Sequence, residues 1–373
     1  MLMTTTSFAM QRSLITAVVL LCVSFCSAVA QRNPRLADEE AGKAIDYMNA
    51  NLPESAIEAW NRAIIAMPGY TPYVYEKTVS LVMAKRYHEA LTILEPVHTD
   101  TSLKDRGYQL MGNCYDFLED TTNSRRYYRA GLIAWPTSGR LLFEIGQQYY
   151  LERKRGQANS WWLKGTQAEP AFATNYYWLA RSYSETKERL WAALYGEAFL
   201  NLERNSPRTR EMSRLVFDMW NRSLRLGDST DPINFCSDEL LETLDKRSAS
   251  VMSFPVAFEF TVAVSSQVFV AKDSVISVLS IEKLVDIRYR FMRAWVSAGY
   301  DTTHPNTLLA WNKRLQEQGR LKDYLWWLYG YGDKNEMQRY YAKNGDRYDT
   351  FLVWFSENGM RFDSPLCLGL GCP

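Results

Sequence analysis

The side chains that most often do chemistry are few in this chain, and their spacing is informative mainly by what it excludes. Its three histidines, His88, His98 and His304, fall into no H-E-x-x-H or comparable metal-ligating pattern. No nucleophile elbow, glycine-rich phosphate loop or C-x-x-C pair occurs, so neither a cofactor nor a metal is expected. Asp116 and Asp120 stand one helical turn apart, a spacing that would suit a general acid and base. Neighbouring acids on a solvated helix face share that spacing, which makes solvation the simpler account. Cys114 reads as a buried, inert thiol. Trp326, Trp327, Tyr329 and Tyr331 could stack on a sugar ring, although core packing also accounts for such a cluster.

The elements that would position these residues begin after an export signal. Arg12 precedes an uncharged, mostly apolar stretch from Leu14 to Phe25, and Ala28-Val29-Ala30 supplies the small-x-small pattern of a cleavage site. Residues 1–30 are therefore expected to be removed before Gln31, with Met10 giving a tighter start than Met1. Bulky Leu21 and Phe25 stand before Cys22 and Cys26, which argues against lipidation. The apolar core is too short for a span of roughly 20 residues, and no later run reaches that length. The expected location is the periplasm or the outer-membrane periphery of a bacterium. Taking Arg12 from the 43 basic residues leaves them equal to the 42 acidic ones. A chain without net charge lacks the basic face of a nucleic-acid binder. Four cysteines remain, and Cys367 and Cys372 in the glycine-rich tail are either a bridge or two thiols in a loose end.

A repeat organises the first half. Ala44, Tyr47, Ala56, Trp60, Ala63 and Pro68 recur with the same spacing as Gly112, Tyr115, Ser124, Tyr128, Gly131 and Pro136, and again as Gly146, Tyr149, Ala158, Trp162, Gly165 and Pro170. The sets are offset by multiples of 34 residues. Small residues allow two helices to approach, aromatic ones fill the space between them, and the proline ends the second helix. The pattern resembles the tetratricopeptide repeat. Five units are read, starting near 37, 71, 105, 139 and 173 and ending at 207, the second and fifth being degenerate. The late Pro207 predicts a longer second helix in the fifth.

The resemblance implies an all-α fold, a right-handed superhelix of helical hairpins whose first helices line a groove for a protein or peptide. Its groove positions map onto Tyr75, Arg106, Gln109, Asn113, Asp116, Phe117, Arg140, Phe143, Gln147, Tyr150, Tyr177 and Arg181. The arginines could take a carboxylate, the amides a peptide backbone, and the aromatics a side chain or sugar face. The lysine and asparagine pair with which some members clamp a C-terminal carboxylate is not reproduced. Trp60 and Trp162 occupy packing positions. The leading expectation is a non-enzymatic scaffold, with a glycan-binding or polysaccharide-processing envelope component as the alternative.

Beyond Pro207 the exact period is lost, and 208–358 reads as a helical C-terminal domain followed by a tail, 359–373. Met212, Leu215, Val216 and Met219 share a helix face that Gly227 would stop, and Ser237 caps a short helix. Residues 254–270 alternate like a strand yet also suit a buried helix, and helix is preferred because its surroundings are helical. Further helices are expected over 274–298, from Pro305 to Gly319, from a capping box at Asp333 and Glu336, and from Asp346.

Overall fold

The computed structural model describes residues 32–224, 226, 233–247, 252–269 and 278–368. The expected export segment, Gly227 and Cys372 lie outside them. Apart from one isolated antiparallel bridge between Leu224 and Ile233, the described residues are organised by helices. They fall into two compact units, Met1–Ala134 and Trp135–Pro373.

The first unit holds three hairpins: α1 (Pro34–Asn49) with α2 (Pro53–Ala66), α3 (Thr71–Met83) with α4 (Tyr87–Leu94), and α5 (Arg106–Phe117) with α6 (Thr121–Ala134). Pro34 and Pro53 open their helices, where an absent N–H is not missed. Ala44, Ala56 and Ala63 are fully buried and bring α1 against α2, with Trp60 packed beside Tyr73 of the next hairpin at 5.8 Å. In the third hairpin a methyl group on Gly112 would come within 2.1 Å of the Tyr128 ring. The small-aromatic pairing of the motif is thus a direct steric fit.

Each hairpin turn of the first unit carries a residue in the left-handed region, Asn51, Lys85 and Glu119, and so does one turn of the second unit with Arg153, with φ between 57° and 62°. Its N–H and the next one bond back to the first helix, as Asn51 N to Met48 O and Leu52 N to Tyr47 O do. This closure satisfies carbonyls that the helix end leaves open.

The second unit begins with α7 (Gly139–Leu151), α8 (Arg155–Ala168), α9 (Ala173–Ser184) and α10 (Arg189–Leu202). Here α10 is no longer than α8, contrary to the expectation from Pro207. Pro207 instead opens α11 (Pro207–Ser223), with Ser206 and Thr209 forming a reciprocal capping box. That helix starts 34 residues after α9, so the helical register outlasts the recognisable motif.

Next come α12 (Asp238–Arg247), capped by Ser237, α13 (Phe254–Ser266), α14 (Ile281–Ser297) and the short α15 (Tyr300–Thr303). Residues 254–266 are helical, as preferred over a strand. The helix expected from 274 starts only at Ile281, where Ser280 accepts from Lys283 N at 3.2 Å. A hairpin of α16 (Thr307–Glu317) and α17 (Leu321–Tyr329) repeats the turn closure with Gly319 at φ 70°. Last is α18, a continuous helix from Lys334 to Asn358. Asp346 therefore starts nothing, because Tyr340, Tyr348, Phe351 and Phe355 keep one buried stripe running past it. At the helix start Asp333 accepts from Glu336 N, but the Glu336 carboxylate accepts from Ile281 N and Glu282 N and caps α14. The expected box is half formed, its second member having been recruited by another helix.

The core of this unit surrounds α10, which is buried over twelve consecutive residues from Leu190 to Asn201. Within that apolar helix Glu197, 1% exposed, meets Arg288 of α14, 3% exposed, at 3.1 Å. Glu197 also accepts from Asn312 and Tyr324, while Arg288 donates to Tyr329 and lies 4.9 Å over Trp220. A buried ion pair is tolerable only when its remaining bonds are made. The tail packs here too. Phe362 lies edge-on to Tyr176, Thr307 N donates to Cys367 O at 2.8 Å, and Cys367 is disulfide-bonded, so this end is not loose through Leu368.

Candidate functional site

The expected groove residues lie on first helices, and the two units present them differently. In the first unit the Arg106 guanidinium covers the Tyr75 ring at 5.0 Å. Gln109 is half-buried one turn further along. Tyr128 Oη lies 2.7 Å from both Asn113 Oδ1 and Asp116 Oδ2, which ties these two residues to the hairpin interior. Phe117 is 54% exposed and stacks on Tyr87 at 5.0 Å.

Asp120 and Asp116 are engaged by different neighbours, Asn123 and Tyr128. Asp120 accepts from Asn123 N at 3.0 Å at the start of α6, and this backbone bond leads the interactions that lower its pKa. Cys114 is buried, which pushes its thiol up to about 12 and disfavours the thiolate. His98 Nδ1 sits 2.7 Å from Glu95 O, and His304 Nε2 2.6 Å from Met252 O, both in aromatic surroundings. Among the described residues no three His, Cys, Asp or Glu side chains could hold a metal.

In the second unit α7, α9 and α11 stand side by side, because each first helix packs on the one before it. Arg140 lies 5.4 Å over Phe172, and Phe143 is 6.4 Å from both Phe172 and Trp178. Gln147 is half-buried between these aromatic positions. Tyr150 meets Trp178 edge-on at 5.5 Å. Arg181 covers Trp178 at 5.5 Å and donates to Glu211 Oε1 at 2.9 Å and Tyr177 Oη at 3.1 Å. Burial pushes the Tyr177 phenol above its ordinary value, so it stays protonated and donates to Glu211 Oε2 at 2.8 Å. Arg181 already has a carboxylate, and an acidic ligand would compete with Glu211. The pair is half exposed, so its contribution is about 0–1 kcal/mol and displacement costs little.

Sequence reasoning missed Trp178, Glu211 and Arg208, whose guanidinium lies 5.2 Å over Tyr177. Two of these had a signal. Continuing the 34-residue frame through Pro207 puts Arg208 and Glu211 at the positions of Arg140 and Phe143. The same arginine-on-aromatic contact then recurs: Arg208 covers Tyr177 as Arg106 covers Tyr75. Trp178 has no such signal, since its register position is not a groove position. Of the aromatic cluster, Trp326 stacks on Tyr340 at 3.9 Å and Tyr329 is buried against Arg288, which makes both core residues. Trp327 and Tyr331 stay partly exposed.

The described residues are helical, and their hairpins resemble tetratricopeptide repeats in motif and 34-residue spacing and, in most turns, in the turn closure. No protein-family profile and no curated protein matches the chain. Solved structures do. PilF of Pseudomonas aeruginosa is 19% identical, covering 55% of this chain and 91% of its own at a TM-score of 0.36. MamA from Desulfovibrio magneticus RS-1 is 14% identical, covering 46% and 97% at 0.34. The C-terminal part of a TPR repeat-containing protein from Cytophaga hutchinsonii is 12% identical, covering 77% and 93% at 0.37.

Proposed function

We propose that this chain is a non-enzymatic interaction scaffold that binds an extended peptide or protein segment on the α7, α9 and α11 face. The observation that carries this reading is the juxtaposition there of Arg140, Phe143, Tyr150, Trp178 and Arg181, partly exposed side chains that combine aromatic area with charge-assisted donors. Aromatic and arginine residues supply most of the binding energy at protein interfaces. Phe143, Tyr150 and Trp178 would take apolar side chains, and the arginines carboxylate or carbonyl groups.

The Arg140→Ala/Arg181→Ala double variant is expected to weaken capture of a partner from envelope extract about tenfold or more, with helicity and melting temperature nearly unchanged. Capture at the parent affinity would reject this face. The export signal read from residues 12–30 supports an envelope location, periplasmic or at the outer-membrane periphery. N-terminal sequencing should find the mature chain starting at Gln31, and an uncleaved or acylated chain would refute that.

A further inference from the structure

Helices α10 and α13 are both largely apolar on every side, yet only α10 is enclosed. A helix of that kind is ordinarily buried all round. Helix α13 and the turn that extends it to Phe269 carry a single charge, Glu259, whose carboxylate accepts from Phe235 N at 2.7 Å and Cys236 N at 2.8 Å. The inner side of α13 packs antiparallel on α14, with Phe254 at 5.8 Å from Trp295 and Phe258 at 4.8 Å from Phe291. Its outer side is in solvent. Phe260 is 54% exposed, Val264 44% and Val268 63%, and their spacing of four residues makes them one stripe.

Beside this stripe stand two arginines. Arg290 of α14 lies 5.9 Å over the Phe269 ring, at the end of the stripe, and Arg293 is exposed nearly one turn further along α14. Neither makes an ion pair among the described residues. Asp286, one turn before Arg290, is held by Lys322 at 3.0 Å.

We propose that this face docks on an anionic lipid bilayer, with Phe260, Val264 and Val268 entering the acyl boundary and Arg290 and Arg293 meeting headgroup phosphates. An uncharged stripe with cations at its edge matches a surface that is apolar below and negative above. The long arginine side chains can reach the headgroups while their stems stay on apolar surface. A second copy of the chain suits the face less, because a two-fold contact would bring the four arginines of two patches onto one apolar seam. Three side chains also fall short of the roughly 800 Å² per partner of a stable complex.

Vesicle flotation tests this on the chain from Gln31, which contains every described residue and lacks the apolar export segment. The chain is expected to float with phosphatidylcholine vesicles containing one third phosphatidylglycerol, and about tenfold less with phosphatidylcholine alone or in high salt. Arg290→Gln/Arg293→Gln should weaken binding to the anionic vesicles about tenfold or more. Phe260→Ser/Val264→Ser should abolish it, with a melting curve matching the parent because both positions are exposed. Ile65→Ser/Ile133→Ser, which removes exposed apolar side chains of the first unit, should float as the parent does. Equal flotation with the two vesicle types, or flotation that survives Phe260→Ser/Val264→Ser, would overturn the proposal. So would a parent dimer, seen by light scattering, that this variant makes monomeric. Absence of flotation would overturn it too, and capture of an acidic protein lost in the same variant would then assign the face to that protein.

Discussion

The second helices α2 and α10 are both fourteen residues long and close a hairpin, yet they are held in opposite ways. Helix α2 buries one stripe, Ala56, Ala59, Trp60, Ala63 and Ala66, and leaves Ile65 in solvent. Its partners come from its own hairpin and the next, which is why a short motif suffices to specify it. Helix α10 is enclosed on every side. The partners of Glu197 in Asn312 and Tyr324 are 115 and 127 residues away. The first unit accordingly has several small apolar clusters, and the second has one continuous core. A repeat can thus be extended by local fit until one of its helices becomes the centre of a different kind of packing.

The largest effect that would break this contrast is expected at the buried pair. Glu197→Ala leaves Arg288 charged and unpaired in the core and should destabilise the second unit by about 3–5 kcal/mol. Glu197→Leu combined with Arg288→Met should recover much of that loss. Denaturant unfolding followed by hydrogen exchange should show the change confined to residues after 134. Protection lost equally in α1 and α2 would mean that the two units do not unfold separately.

A smaller effect tests whether the local rule is the same in both units. Gly112 faces Tyr128 in the first, and a methyl group on Gly146 would come within 2.4 Å of Trp162 in the second. Alanine at either position should cost about 1–3 kcal/mol by overpacking, with similar values for the two. A cost at one position only, read from melting curves, would show that the pairing is not a property of the repeat.

The smallest effect concerns the turns. Lys85→Gly and Arg153→Gly should each gain up to about 1 kcal/mol, since glycine adopts the left-handed region without the Cβ penalty. Gly319→Lys should lose a similar amount, and unchanged melting on all three substitutions would contradict the turn geometry.

Much of the first unit could be read directly because its contacts repeat at fixed spacing. Ala44 with Trp60, Gly112 with Tyr128 and the groove positions of α5 all follow from one frame. In the second unit the same frame placed Arg140, Phe143 and Tyr177, and stopping it at Pro207 lost Glu211 and Arg208. Pro207 was ambiguous for a physical reason: proline can follow a helix it ends or open the next one, and only the Ser206–Thr209 capping box distinguishes the two. Similarly, Asp346 has the composition of a helix start but lies where buried Tyr348 and Phe351 continue the helix.

From its residues alone this chain declared an all-helical class, a 34-residue hairpin period, the packing role of Trp60 and Trp162, and the absence of familiar catalytic and metal motifs. These depend on neighbours a few residues to one repeat away, and such distances leave a periodic trace. Tertiary structure decided that Glu336 caps α14 and that Glu197 and Arg288 share one buried network. The Glu336 and Glu197 contacts join groups 54 to 127 residues apart, distances that no period relates, so only the packing of the helices could bring them together.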